Sequence, residues 1–73
     1  MDRQTIIDHL DDAERRVLED MFKVNGLRRR ITGLICDGQP THKSESLLSE
    51  FEKLLAIHIA DRDRLLKELD ESI

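Results

Sequence analysis

The chain has 73 residues, of which 38% are charged and 38% are hydrophobic, and its formal net charge at pH 7 is -4. A chain of this length makes one small domain, here residues 1–73, and buries only about 60% of the surface that its unfolded form exposes. The single cysteine, Cys36, excludes an intrachain disulfide. Short apolar runs predict neither a signal peptide nor a membrane span, so we expect a cytoplasmic protein with no membrane contact, stabilised by association with another chain.

The first half of the chain has apolar residues at intervals of three and four, which is typical of an amphipathic helix. This period predicts a helix over about residues 3–36. Asn25-Gly26 is a turn signal within it, and Gly33 is a second weak point. Because the apolar period continues through both glycines, we predict one long helix rather than two. The apolar positions are Ile6, Leu10, Ala13, Val17, Met21, Val24, Leu27, Ile31, Leu34 and Ile35.

A turn is predicted at residues 37–41, which read Asp-Gly-Gln-Pro-Thr. Gly38 suits the left-handed position after a helix. The Thr41 side chain is expected to cap the next helix, with Ser44 as a competing cap one turn on. That helix is predicted over about residues 42–71, so the fold class is all-α, an antiparallel helical hairpin. Its apolar positions are Leu47, Leu48, Phe51, Leu54, Leu55, Leu65, Leu66 and Leu69.

The first helix also has apolar side chains away from this face. Ile7, Leu18 and Phe22 lie about 100° or more around the helix from Val17, so one partner helix does not cover both sets. Two hairpins packed as a four-helix bundle would cover them, and two-fold dimers are the commonest closed assembly. We therefore expect a homodimer with these three residues in the dimer face.

Four polar residues fall inside the apolar faces: Asp20 and Arg28 on the first helix, His58 and Arg62 on the second. If the hairpin closes at residues 36 and 44, facing residues have numbers that add to about 80. Arg62 then lies within one turn of Asp20. The favoured interpretation is that this polar seam fixes the helix register.

The same placement gives the other two seam residues expected contacts. Arg28 would face Glu52, and a partly buried His58 is expected to bond a neighbour such as Asp20. His58 is also the seam residue that can change charge near neutral pH. One alternative is a pocket for a small anion or a metal in the bundle core, lined by Asp20, His58 and Arg62. Another is that the seam residues are exposed to solvent in a looser arrangement of the helices.

The basic cluster of the chain is Arg28, Arg29 and Arg30, which suggests a second alternative, a nucleic-acid-associated regulator. Residues 37–73 hold nine acids and five bases, so nucleic-acid binding is disfavoured. The sequence has no nucleophile paired with a base, no Gly-rich phosphate loop and no paired metal-ligand spacing. We therefore expect no enzyme activity, cofactor or metal, and a small intracellular protein-interaction or regulatory module.

A pattern in the second half resembles a known set of sequences. It comprises Ile31, Leu34, Asp37-Gly38, Thr41, Leu47-Leu48, Phe51-Glu52, Leu55, His58, Arg62-Asp63 and Leu65. The pattern is similar to that of small uncharacterised bacterial proteins common in alphaproteobacteria, over about residues 27–69. This resemblance implies a helical hairpin without an established activity, and it supplies no catalytic residue. Gly26 and Gly33 depart from the helix-favouring residues expected at those positions.

Overall fold

The computed structural model describes residues 2–72, and it consists of two long helices that pack against each other. Helix α1 spans Arg3–Cys36 and helix α2 spans His42–Glu71. The hairpin is a rod with extents of 55 × 14 × 13 Å. The prediction of an all-α hairpin of two helices is confirmed.

Helix α1 is continuous through both of its glycines. A Cβ atom added at Gly26 or Gly33 would meet nothing within 4 Å, so neither glycine is required by a close contact. The helix begins after Asp2, whose carboxylate accepts a 2.8 Å hydrogen bond from the Thr5 backbone N–H. That bond holds the pKa of Asp2 below its usual range, because it stabilises the charged carboxylate.

Helix α1 ends in a Schellman motif around Gly38, which has φ = 68°. The Gln39 N–H donates to the Leu34 carbonyl at 2.8 Å, and the Gly38 N–H donates to the Ile35 carbonyl at 3.1 Å. The prediction of a side-chain cap at Thr41 is wrong. Thr41 has φ = -110° and ψ = -5° rather than an extended backbone, and its side chain makes no capping bond.

The best-packed part of the hairpin lies near the chain ends. Ile6, Leu10, Ala13 and Leu65 form a buried cluster, with Leu69 packed against it. Val17 and Val24 continue the buried line towards the middle of α1. Beyond Val24, the apolar residues that face α2 are only half-buried, namely Leu27, Ile31 and Leu34. The end near the turn is therefore the looser half of the hairpin.

Several apolar side chains that the period assigns to the contact faces are exposed instead. The cause is geometric, since one neighbouring helix covers a limited arc and leaves both flanks open to solvent. On α1 the exposed residues of this kind are Met21 and Ile35, and on α2 they are Leu47, Leu54 and Leu66.

Candidate functional site

The middle of the hairpin has a partly buried side-chain hydrogen bond between Asp20 of α1 and His58 of α2. The Nδ1 atom of His58 bonds to the Oδ2 atom of Asp20, and the two side chains are 22% and 8% exposed. Asp20 is the buried polar residue of the described contact face. Because a buried carboxylate without a partner is costly, His58 is what makes Asp20 tolerable on an apolar face.

Arg62 makes no hydrogen bond or salt bridge to Asp20, although the facing rule predicts that the two residues lie within one turn of each other. Its Nε and Nη2 atoms instead donate to Asp63 Oδ1 at 3.2 and 3.0 Å. Arg62 also lines a shallow groove with Val17, Leu18 and other α1 residues. The arginine stem thus covers apolar surface, while its head reaches the exposed carboxylate beside it in the chain.

Arg28 lies opposite Glu52, as the facing rule predicts. The Nη2 to Oε2 distance is 3.4 Å, and the two side chains are 59% and 47% exposed. An ion pair this open to solvent contributes about 0 to 1 kcal/mol to stability. Of the four seam residues, Asp20 and His58 are therefore the two that form a buried contact between the helices.

The arginine cluster does not form one basic patch. Arg28, Arg29 and Arg30 are consecutive residues of α1, so their side chains leave the helix about 100° apart. Arg28 pairs with Glu52, and the Arg29 Nε atom lies 3.5 Å from the carbonyl of Asn25. A phosphate backbone in contact with one of these arginines would leave the other two turned aside.

An exposed apolar surface lies halfway along α1, and we name Leu18, Met21 and Phe22 the central patch. Leu18 is 67% exposed, Met21 is 45% exposed and Phe22 is 75% exposed. Ile7, the third predicted residue of the dimer face, is half-buried. The apolar period assigned Met21 to the buried stripe, so its part in this surface could not be recognised from the sequence pattern.

Over residues 2–72, no three His, Cys, Asp or Glu side chains lie close enough together to hold a metal ion. Asp20 and His58 supply two such groups in contact. Cys36, the last residue of α1, is exposed. Within the described residues, neither helix has a stretch long and apolar enough to cross a membrane.

The fold and surface define an all-α helical hairpin with a buried Asp–His pair at its middle. Comparison with models of known families, with curated proteins and with solved structures finds no match to this chain. The resemblance carried by the pattern from Ile31 to Leu65 therefore stays a prediction.

Proposed function

We propose that the chain is a protein-interaction module that acts as a homodimer, in which a second hairpin packs on the central patch. The observation that carries the proposal is the exposure of Leu18 and Phe22, at 67% and 75%, on a helix whose opposite face is already covered by α2. Large apolar side chains grouped on a surface are typical of contact sites rather than of free surface.

The exposed area of the single hairpin supports the same conclusion. A compact monomer of 8.5 kDa exposes about 4,700 Å². The hairpin exposes 5477 Å², and no described side chain falls below 2% exposure. The excess of about 800 Å² is comparable to the share that one partner buries in a standard protein interface.

The alternatives receive less support from the geometry. A nucleic-acid contact would use Arg28, Arg29 and Arg30, which leave the helix in three directions. A ligand or metal site in the bundle core would use Asp20, His58 and Arg62, but Arg62 is bonded to Asp63 instead. The interaction module needs neither arrangement, because its contact is the apolar central patch.

The test is sedimentation equilibrium of the protein over the micromolar to millimolar range. We expect a reversible dimer for the parent chain. Leu18→Glu and Phe22→Glu each place a carboxylate in the proposed contact, so these variants are expected to be monomeric where the parent is dimeric. Circular dichroism of each variant checks that the helices remain.

Ile57→Glu is the matched control. Ile57 is 56% exposed and lies on α2, away from the central patch, so the same change of charge and size there leaves the dimer intact. A parent chain that stays monomeric over the whole range overturns the proposal. So does a dimer that all three variants weaken equally, because the central patch is then not the contact.

A further inference from the structure

The charges of α1 are divided between its two halves. Residues 3–20 hold six acids and three bases, whereas residues 21–36 hold four bases and no acid. The sign therefore changes between Asp20 and Met21, close to the midpoint of a helix that spans Arg3–Cys36. The central patch, Leu18, Met21 and Phe22, lies across that change of sign.

The second helix preserves this polarity along the rod. The half near the turn, residues 21–56, holds six bases and four acids, a net charge of +2. The half near the chain ends, residues 1–20 and 57–73, holds twelve acids and six bases, a net charge of -6. The hairpin thus has an acidic half and a basic half, with an apolar patch between them.

On the basis of the proposed homodimer, we infer that the second copy packs antiparallel, about a two-fold axis that crosses the long axis near Asp20. This axis places the central patch against its own copy and each acidic half beside a basic half. A two-fold axis parallel to the rod would place the two acidic halves side by side, and like charges in contact are unfavourable.

If the two-fold axis crosses α1 at residue 20, a residue n positions before it faces the residue n positions after it in the second copy. The numbers of two facing residues therefore add to about 40. Leu18 then faces Phe22 of the second copy, and Asp11 faces Arg29. These four positions lie within about 40° of one another around the helix, so they share one face.

Asp11 and Arg29 are suited to an intermolecular pair. In the part of the chain that the structure describes, neither belongs to an ion pair within the hairpin. They are 18 residues apart on one helix, or about 27 Å. That separation is well beyond the Debye length of about 8 Å at physiological salt, so one chain cannot couple them directly.

The experiment measures dimer dissociation constants for Asp11→Arg, Arg29→Asp and the double variant, by sedimentation at low salt. Each single change sets like charges opposite each other twice in the dimer, so each weakens it by roughly tenfold. The double variant restores opposite charges and returns the constant to near that of the parent. Circular dichroism confirms that each variant stays helical.

Two comparisons separate pairing from net charge. Asp11→Arg changes the net charge from -4 to -2, and this smaller magnitude reduces the overall repulsion between two copies. A weaker dimer in this variant therefore runs against the net-charge effect. Arg30→Asp is the matched control for Arg29→Asp, because it makes the same charge change about 100° away on the helix. The dissociation constant of the Arg30→Asp dimer is expected to be much closer to that of the parent.

The outcomes distinguish the two proposals. A monomeric parent overturns both the homodimer and its orientation. If the parent is a dimer, two results overturn the antiparallel packing and leave the homodimer standing. In the first, the double variant weakens the dimer by as much as the two single changes together. In the second, each single change affects the dissociation constant no more than Arg30→Asp does. Recovery in the double variant supports the antiparallel packing, because only a second chain brings these positions together.

Discussion

Replacement of His58 by leucine should destabilise the hairpin, because it leaves the Asp20 carboxylate buried without its partner. Asp20 is 8% exposed at its side chain, and His58 is the group that bonds to it. Loss of one partner from a fully buried ion pair costs about 3 to 5 kcal/mol. Because His58 is 22% exposed and water can approach, we expect a smaller loss of about 2 to 3 kcal/mol in the free energy of unfolding.

Urea unfolding followed by circular dichroism measures this loss, with every variant at one protein concentration because a dimer's stability depends on concentration. For a chain of this size the expected loss corresponds to a fall in Tm of about 10 to 20 °C. The double variant Asp20→Leu, His58→Leu removes the charge together with its partner. It should recover most of the lost stability, since apolar replacement of a buried pair is often neutral.

The cycle of single and double variants isolates the contact from the effect of adding a leucine. Ile57→Leu is a control one residue away on the exposed surface of α2, and it should change the free energy of unfolding by less than about 0.5 kcal/mol. If the free energy of unfolding of His58→Leu lies within that same margin of the parent, the Asp20 carboxylate needs no partner and the stabilising role given to His58 is wrong.

Three further predictions concern two glycines of the hairpin and the carboxylate that caps α1. Gly26→Ala should raise the free energy of unfolding by about 1 kcal/mol in urea unfolding, since the position is helical and open; a loss would contradict the continuous helix. Gly38→Ala should lower it by about 1 to 2 kcal/mol, because φ is 68° there; an unchanged value would contradict the left-handed turn. The capping contribution of Asp2, whose pKa is lowered by the Thr5 N–H, should be complete above the unfolded pKa of about 3.9 and be lost as pH falls through the lower folded pKa. An NMR titration of the Asp2 carboxyl group checks this, and a midpoint at or above the unfolded value would contradict it.

The helices and the turn could be predicted because their signals are local. The apolar period continues through Gly26, and Gly38 has the freedom that a Schellman motif needs. The prediction of a side-chain cap at Thr41 is wrong because capping depends on the backbone angles of the residue, and the type of side chain does not determine these angles.

The contacts of the seam could be predicted only in part. The rule that facing residues have numbers adding to about 80 gives the level of a residue along the rod, but not which side chains bond. It placed Arg28 opposite Glu52 correctly. It also placed Arg62 within one turn of Asp20, but the histidine ring is nearer to that carboxylate and Asp63 is nearer to the arginine. The exposure of Met21 could not be predicted either, because a period does not say how wide an arc the partner helix covers.

In the proposed antiparallel dimer, the two helices have separate tasks. The central patch and the change of charge sign both belong to α1, so the orientation of the second copy depends on that helix alone. Helix α2 covers the opposite face of α1 and is tied to it through His58 and Asp20, at the level where the two-fold axis crosses. A change at His58 should therefore lower the stability of each hairpin without reversing the packing. In a His58→Leu background that remains folded, Asp11→Arg and Arg29→Asp should each still weaken the dimer. The double variant in the same background should restore it.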